Sequence, residues 1–340
     1  MKLSYIQKNK KNILEILRIL TDSPNRRLQL YAYMQRLFWW IKYPPKRYQE
    51  LVEYQSFAPS NFCYGHEYWL KRYSGYHDKI YAHIEHGVYF GNNKAKVANE
   101  EEWELGNIIS FGESRVKLLY ELYPDYNVFQ IGPRIHYAET DKEYYEELYS
   151  KIDHQGKVLT LFPAHSLATE KSLYDSNLFL SQAEELANKM GAKTIMVSLH
   201  PSDYIHQINL SFKDKKVILV GGGNDSYRFL PRLRAILELS DATFSNALGT
   251  HVGYSIYMGI PHVMNLKSNH NVDANTIFEQ EQKMFASRFN GVFPLAITEE
   301  QRNLCDYYWG ISKIKSPQEI FDILSECKRK YESIYNVDDN

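Results

Sequence analysis

From about residue 76 onward, the hydrophobic pattern of the chain alternates between short apolar runs and longer amphipathic segments. Runs such as 157–162 (KVLTLF) and 216–220 (KVILV) have the length of single strands. Segments such as 177–190 place their apolar residues near one side at helical spacing. Strands that alternate with helices predict parallel sheets covered on both faces, so the predicted fold class is α/β.

The predicted elements fall into two halves of similar style. In the first half the pattern predicts strands at 79–84, 107–111 and 127–131 and helices at 115–123 and 141–151. In the second half it predicts strands at 157–162, 193–199, 216–220, 242–244 and 262–264 and helices at 177–190, 231–240, 251–258 and 276–289. A last amphipathic helix covers 317–335. The turn at 153–156 (DHQG) is the best boundary. We therefore expect N-terminal helices plus a first Rossmann-like domain over 1–155, a second Rossmann-like domain over 156–316, and a C-terminal helix and tail over 317–340.

The beginning of the chain has a different pattern. Residues 1–55 carry apolar residues at helical spacing, interrupted by good capping residues at 21–25. The second of these helices includes segment 26–47, which mixes Arg and Lys with Phe, Trp and Tyr. Such a segment suits peripheral contact with an anionic membrane surface. It also suits a domain-packing helix with a solvated basic face, and both interpretations stay open.

Composition narrows the class of protein. The chain has 340 residues, enough for two domains, and 44% of them are hydrophobic. Its 40 basic residues balance 41 acidic ones, which argues against a nucleic-acid binder that relies on bulk charge. The three cysteines show no CxxC spacing, which fits a reducing compartment. No signal-peptide pattern opens the chain, and no apolar run reaches the roughly 18 residues of a membrane helix. We predict a cytoplasmic protein, peripheral on the inner face of the cell membrane if segment 26–47 binds lipid.

Polar and glycine residues follow consecutive predicted strands of the second half. Because the carboxyl ends of parallel strands meet at one edge of a sheet, these residues are expected to lie together. The small polar turn before helix 251–258 offers hydroxyls, backbone N–H groups and a helix dipole to a phosphate. We therefore predict a nucleotide-phosphate site there. Its predicted residues are His165, Ser166, His200, Pro201, Gly221, Gly222, Gly223, Ser245, Asn246, Gly249, Thr250 and His251.

Two narrower hypotheses about this edge receive little support. The run 221–223 is neither a P-loop nor a GxGxxG motif, because it lacks the lysine and the spacing, and it equally suits a plain strand-to-helix turn. Several histidines at strand ends are potential zinc ligands. However, no HExxH or other close pairing occurs, and no cysteine accompanies them. We predict no metal site.

The first half is expected to supply the base and the acceptor site. Glu85 and His86 follow the strand at 79–84 and precede a glycine. A glutamate or a histidine in a cleft can take the proton from an attacking hydroxyl. Arg115 and Arg134 are predicted to bind an acidic acceptor or a phosphate. These residues also have interpretations without a catalytic role. Glu85 would then be a solvated turn residue, and Arg115 and Arg134 would form surface ion pairs.

Two Rossmann-like halves and a C-terminal helix that crosses back resemble the GT-B glycosyltransferases. The order of motifs resembles that of bacterial capsule, O-antigen and teichoic-acid transferases. His200-Pro201 resembles the His-Pro motif of bacterial sialyltransferases, which contacts the CMP phosphate. Ser245-Asn246 lies where that group and the CDP-glycerol glycerophosphotransferases carry a Ser/Thr pair for phosphate. Glu85-His86-Gly87 resembles the acidic motif of the former and the His-Gly motif of the latter, so both Glu85 and His86 remain candidates for the base.

The resemblance implies a metal-independent GT-B transferase of bacterial surface-polysaccharide synthesis. The donor would be a nucleotide-sugar, with CMP-linked acidic sugars slightly favoured, and the acceptor would be a glycan or a lipid-linked molecule. No cofactor beyond this substrate is implied. The alternatives are a polyol-phosphate transferase with a CDP-activated donor, a UDP-sugar epimerase, and a non-catalytic polysaccharide-assembly protein. The strings FPAHS and SNALGTHVGYSIYMGIPH also resemble uncharacterised proteins from polysaccharide gene clusters.

Overall fold

The computed structural model describes residues 61, 64–91, 104–164, 174–199, 212–221, 227–270 and 276–335. The helices predicted within 1–55, including segment 26–47, lie outside these ranges. The described part of the chain contains two parallel β-sheets, one of three strands and one of five.

The first sheet has the strand order β1-β2-β3, and both neighbouring pairs are parallel. Its strands are β1 (His83–Ile84), β2 (Asn107–Ser110) and β3 (Asn127–Gln130). The helices of this unit are α1 (His66–Ser74), α2 (Glu113–Leu122) and α3 (Lys142–Tyr149), with a 3-10 helix at Arg134–Tyr137. The central strand β2 is buried along its whole length, as expected for a parallel sheet covered on both faces.

The second sheet has the strand order β6-β5-β4-β7-β8, and every neighbouring pair is parallel. Its strands are β4 (Lys157–Phe162), β5 (Ala192–Ser198), β6 (Lys216–Val220), β7 (Ala242–Ser245) and β8 (His262–Met264). Its helices are α4 (Ser176–Met190), α5 (Phe229–Glu238), α6 (Thr250–Tyr257), α7 (Ile277–Arg288) and α8 (Glu299–Trp309), with a 3-10 helix at Leu266–Ser268. The chain runs outward from β4 to β6 and then returns to β7 on the other side of β4. This reversal of strand order is the position where open α/β sheets form a ligand crevice.

The apolar strands of the second sheet bury both of their faces. Leu159 and Leu161 of β4 pack on one face with Phe179 of α4. Val158 packs on the opposite face with Ile236 of α5. Successive side chains of a strand point to opposite faces, so a strand covered on both sides reads as a nearly continuous apolar run. The predicted parallel α/β fold is confirmed.

The last helix, α9 (Pro317–Tyr335), crosses back to the first unit. Its buried residues Ile320, Leu324 and Cys327 pack with Leu70 of α1. The side chain of Asn107 in β2 also donates a hydrogen bond to the backbone carbonyl of Cys327 (2.9 Å). The predicted C-terminal helix that packs back on the first unit is therefore confirmed.

A shared apolar cluster joins the two units. Trp309, the last residue of α8, is fully buried in it, together with Val252 and Tyr254 of α6 and Phe111 of the first unit. Gly253 makes room for the indole, because a Cβ at this position would lie 2.2 Å from the Trp309 ring. This packing fixes α6 of the second unit against residues that follow β2 of the first.

Helices α1 and α8 are not predicted by the pattern. In α1 the amphipathic pattern is hidden because charged residues are buried: Glu67 and Lys71 form an ion pair at 2.9 Å with their side chains at most 1% exposed. The strand predicted at 79–84 is also shorter than expected. It is reduced to His83–Ile84, the residues that pair with Ile108 and Ile109 of β2.

Candidate active site

The turn between β7 and α6 presents its backbone to the carboxyl edge of the second sheet. Gly249 is the N-cap of α6, with an extended conformation, and it has no side chain that could cap this helix. The first N–H groups of an α-helix lack intrahelical acceptors, and the positive end of the helix dipole lies at the same place. The start of α6 is therefore suited to bind an anion.

The side chains of Ser245 and Asn246 are fully buried in this turn. Asn246 Oδ1 accepts a hydrogen bond from the N–H of Ala164 (2.7 Å), and its Nδ2 donates to Ser268 Oγ (3.1 Å). Ser245 Oγ donates to the carbonyl of Ala247 (2.9 Å). The sequence predicts both side chains as direct phosphate ligands. In the structure, Asn246 fastens the turn to the segments that follow β4 and β8, and Ser245 bonds within the turn. Direct phosphate binding by either side chain stays a prediction.

The imidazole of His251 lies over the same turn. It stacks on Phe162 at the end of β4, with ring centroids 4.7 Å apart and planes inclined by 15°. A Cβ on Gly249 would lie only 2.9 Å from His251 Cε1, so glycine leaves the space that this ring occupies. The structure thus brings Gly249, Thr250 and His251 together at the start of α6.

Gly221 follows β6 with a φ of 125°, a conformation that favours glycine. Its N–H donates to the hydroxyl of Tyr144 in α3 (3.3 Å). The other predicted donor-side residues lie outside the described ranges, so their roles stay predictions. These residues are His165, Ser166, His200, Pro201, Gly222 and Gly223.

Glu85, directly after β1, is 3% exposed. Its Oε1 accepts from Arg115, with Nη2 at 2.6 Å and Nε at 2.8 Å, and its Oε2 accepts from Ser110 Oγ (2.6 Å). The Arg115 guanidinium also lies over the ring of Tyr89, 4.6 Å from its centroid. Both partners of this ion pair are buried, so Glu85 is not the solvated turn residue of the sequence-based alternative. Arg115 neutralises Glu85 in the interior, and its predicted contact with an acceptor or a phosphate stays a prediction.

Arg134 lies in the protein interior with 1% of its surface exposed. Its guanidinium donates to the carbonyls of Gly132 (2.7 Å) and Ile109 (3.1 Å) and lies 4.2 Å from the centroid of Phe111. Burial lowers the pKa of Arg134 to about 10, so it remains a cation at neutral pH. Its Nη1 and Nη2 donors are directed at backbone carbonyls of the first unit, and the predicted role of Arg134 in acceptor binding stays a prediction.

His86 occupies a different environment from Glu85. Its side chain is half-buried, and burial lowers its pKa while the charge of Glu85 acts in the opposite direction. The carbonyl of His86 accepts a hydrogen bond from Nε2 of His66 (3.1 Å), because a carbonyl can only accept. Burial lowers the pKa of His66 to about 3, so His66 is neutral and its proton lies on Nε2. This bond fixes the backbone at His86 and leaves a neutral imidazole at the sheet edge.

The loop that carries His86 touches the start of α6. The N–H of Val88 donates to Thr250 Oγ1 (3.4 Å), and a Cβ on Gly87 would lie 3.4 Å from the same oxygen. The carbonyl of Thr250 also accepts a hydrogen bond from Trp309 Nε1 (3.1 Å). The structure therefore brings the predicted base loop of the first unit and the predicted phosphate-binding helix of the second unit into direct contact.

Two buried histidines of this region are missed by the sequence analysis. His66 lies at the start of α1, a helix that the pattern does not reveal. His262 begins β8 and pairs in register with Thr243 of β7. The sequence contains a signal for His262, because His262 and Thr243 are polar residues within two short apolar strands, β8 and β7. For His66 no comparable signal exists.

Among the described residues, no group of three or more His, Cys, Asp or Glu side chains is placed to hold a metal ion. Across the same ranges, no helix combines the length and the apolar character that crossing a membrane would require.

No protein-family model matches the chain, and no curated protein matches it. Several solved structures do. The wall teichoic acid polymerase TagF is 12% identical over 76% of this chain and 69% of that chain, with a TM-score of 0.43. The UDP-GlcNAc 2-epimerase from Neisseria meningitidis, bound to UDP-GlcNAc, is 17% identical over 80% and 73%, with a TM-score of 0.41. A glycosyltransferase from Rickettsia africae ESF-5 is 14% identical over 84% of each chain, with a TM-score of 0.35. These structures are distant, and the fold follows from the two parallel sheets and the returning helix of the chain itself. The fold is GT-B-like.

Proposed function

We propose that this chain is a glycosyltransferase that moves a sugar from a nucleotide-activated donor to a hydroxyl group. The observation that carries the proposal is the contact between the loop of His86 and the start of α6, through Val88 and Thr250. A neutral imidazole and an anion-binding helix start then lie on facing edges of two α/β units. We assign the acceptor to the first unit and the donor to the second.

The start of α6 would stabilise the leaving nucleotide phosphate. Backbone N–H groups and the helix dipole are fixed before the reaction, so they can bind the developing negative charge without reorganising. Thr250 Oγ1 accepts from the N–H of Val88, and its own proton can be donated to a phosphate oxygen. His251 lies over Gly249 at the same helix start and adds a second polar side chain to this binding surface.

Between the two candidates for the base, the geometry supports His86. The carboxylate of Glu85 already accepts from Arg115 and Ser110 in the interior. The imidazole of His86 is half-buried and its pKa is lowered, so it is neutral and able to accept a proton at neutral pH. In the proposed step the acceptor oxygen bonds to the anomeric carbon, the bond from that carbon to the phosphate oxygen breaks, and the acceptor proton moves to His86.

The place of this reaction in bacterial capsule or O-antigen synthesis rests on the motif resemblance, as does the slight preference for a CMP-linked acidic sugar. The proposed acceptor is a glycan or a lipid-linked molecule. Metal-independent chemistry and peripheral membrane contact through segment 26–47 are parts of the same proposal.

A second candidate function is favoured by the burial of Glu85. With the Glu85 carboxylate paired to Arg115, His86 and Gly87 are the residues of the motif left to act, and this pair resembles the His-Gly motif of the CDP-glycerol glycerophosphotransferases. In that reaction the acceptor oxygen would attack the phosphorus that carries the polyol, CMP would leave at the start of α6, and His86 would again take the proton.

Nucleotide release from a donor panel tests both functions. The full chain is incubated with CMP-sialic acid, CDP-glycerol, UDP-glucose and GDP-mannose, and the released nucleotide is measured with and without glycan acceptors. We expect release with one donor class, and a decrease in kcat of about 100-fold or more in His86→Ala. Nucleotide binding by calorimetry should persist in this variant. The exposed His154→Ala is the matched control and should keep the wild-type rate.

Several outcomes would contradict the proposal. A wild-type chain that binds none of these nucleotides is not a transferase. Conversion of a UDP-sugar to its epimer without an acceptor identifies an epimerase instead. Release of CMP from CDP-glycerol alone selects the polyol-phosphate reaction over sugar transfer.

A further inference from the structure

A buried row of polar side chains lies directly behind the turn that precedes α6. We call it the His262 chain, and it consists of His262, Thr243, Ser245 and Ser255. His262 is 3% exposed and the three hydroxyl residues are fully buried. Polar groups in such an interior are stable only when they bond to one another.

The contacts of the His262 chain form one continuous line. His262 Nδ1 lies 2.8 Å from Thr243 Oγ1, and its Nε2 lies 3.1 Å from Ser245 Oγ. Thr243 Oγ1 continues to Ser255 Oγ (3.0 Å). At the two ends, Ser245 donates to the carbonyl of Ala247 (2.9 Å) and Ser255 donates to the carbonyl of His251 (2.9 Å). The line therefore connects the turn before α6 with the first turn of the helix.

The number of protons in this line is one fewer than the number of contacts when His262 is neutral. The two terminal carbonyls take the protons of Ser245 and Ser255, since a carbonyl can only accept. The imidazole and Thr243 then supply two protons for the three remaining contacts. His262 can hold its proton on Nε2, directed at Ser245, or on Nδ1, directed at Thr243. In the first case Thr243 can donate to Nδ1 or to Ser255 but not to both. In the second case Thr243 donates to Ser255, and the contact between Nε2 and Ser245 lacks a proton.

His262 stays neutral in this environment. Burial lowers its pKa well below the ordinary value, and the neighbouring ring of His251, 5.5 Å away, acts in the same direction. The other groups that contact His262 in the described part of the chain are the hydroxyls of Thr243 and Ser245 and the ring of Phe289, none of which carries charge. The two states of the line therefore differ in tautomer and not in charge.

An anion at the start of α6 distinguishes the two tautomers. With the proton on Nε2, the N–H of His262 and the O–H of Ser245 both point along the line towards the turn at Ala247. With the proton on Nδ1, the N–H of His262 points away from the turn, towards Thr243. A negative charge beside the turn favours the first arrangement, because side-chain dipoles orient in the local field.

We propose that His262 is a positioning residue whose Nε2-protonated tautomer is selected when a nucleotide phosphate binds at the start of α6. In this tautomer Ser245 accepts from Nε2 while it donates to Ala247, so both contacts that hold Ser245 in the turn carry a proton. The inference rests on the proposed function, because it requires a phosphate at this helix start.

Nitrogen NMR of the histidine-labelled full chain tests the proposal without any variant of His262. The tautomer is read from the imidazole nitrogens of His262 as CDP, or UDP if CDP does not bind, is added. We expect one protonated nitrogen throughout and a rise in the Nε2-protonated fraction on binding. A bound state with the proton on Nδ1, or with both nitrogens protonated, overturns the proposal.

Two matched variants provide an independent measurement of affinity. In His262→Gln the amide can donate to Ser245 from the position of Nε2, whereas in His262→Asn the shorter side chain reaches only Thr243. We expect His262→Gln to bind CDP within about threefold of wild type and His262→Asn to bind about 3-fold to 10-fold more weakly, the effect of one buried hydrogen bond. Equal losses in both variants overturn the positioning role. A wild-type chain that binds neither CDP nor UDP contradicts the proposed function as well, whereas binding with the proton on Nδ1 contradicts this inference alone.

Discussion

Glu85 and His86 are adjacent residues with opposite environments. Glu85 is paired with Arg115 in the interior, whereas His86 keeps part of its ring exposed. Consecutive side chains of an extended segment point to opposite sides, so a strand end can bury one and present the next. The negative charge of the Glu85 carboxylate raises the pKa of the adjacent His86 and so opposes the effect of burial, which lowers it.

The Glu85→Gln variant tests this electrostatic relation. Burial already places the pKa of His86 below 6.5, and removing the negative charge of Glu85 lowers it further. A base is active only when it is neutral, so activity falls as the pH drops through this pKa. We expect the acid limb of the kcat/KM profile below pH 6.5 in the wild type and at lower pH in Glu85→Gln. The exposed Glu113→Gln is the control and should leave the limb unchanged.

The same variant leaves Arg115 buried without its counter-charge. Denaturant unfolding should therefore show a loss of about 3–5 kcal/mol in the free energy of unfolding for Glu85→Gln, and little change for Glu113→Gln. An acid limb that stays in place or moves to higher pH would contradict the role given to His86.

The sequence could not reveal which charged residues of the first unit face inward. Glu85 and Arg115 are 30 residues apart, and their pairing depends on how α2 packs after β2. Arg134 follows β3 and is equally hidden, because its acceptors are backbone carbonyls that carry no side-chain signal. A charge at a strand end predicts a position at the sheet edge. It does not predict the direction of the side chain.

At the scale of single elements, α6 is held by a very close contact with α8. A Cβ on Gly253 would lie 2.2 Å from the Trp309 ring, and the indole also donates to the carbonyl of Thr250. The position of the helix start that we propose to bind phosphate therefore depends on a glycine in the middle of the helix, where glycine is otherwise unfavourable.

The Gly253→Ala variant tests this contact. We expect it to lower the free energy of unfolding by about 1–3 kcal/mol through overpacking. In a Trp309→Ala background the ring is absent, and the same substitution should become stabilising by up to about 1 kcal/mol, the helix preference of alanine over glycine. Thermal and denaturant unfolding of the wild type, the two single variants and the double variant gives the coupling energy between positions 253 and 309. Additive effects of the two substitutions would show that the contact does not hold α6.

Elements with uniform apolar runs could be predicted well, whereas those with buried polar residues could not. The strands β4, β6 and β8 and the helix α9 occupy the predicted residues because their apolar pattern has a single interpretation. In α1 the buried pair of Glu67 and Lys71 interrupts the pattern. In the site, the turn before α6 was expected from its small residues, but the inward direction of Ser245 and Asn246 depends on partners at Ala164 and Ser268 that only the fold supplies.

At the scale of the whole molecule, two connections keep the sheet edges facing each other. The helix α9 returns to the first unit through Leu324 and Cys327, and Trp309 lies in the apolar cluster that both units share. Ion pairs of Asp141 with Arg228 (3.6 Å) and Arg232 (3.4 Å) also link α3 to residues at α5. A GT-B-like fold in this arrangement places the loop of His86 opposite the helix start that would receive the leaving phosphate.

The position of a bound nucleotide phosphate tests the central claim most directly. A crystal structure of the full chain with CDP, or with UDP if CDP does not bind, would show it. The account predicts a phosphate oxygen at about 3 Å from backbone N–H groups at the start of α6, near Thr250, with the ring of His86 facing it across the cleft. A nucleotide bound with its phosphates away from α6, or on a side of the second sheet that His86 does not face, would contradict it.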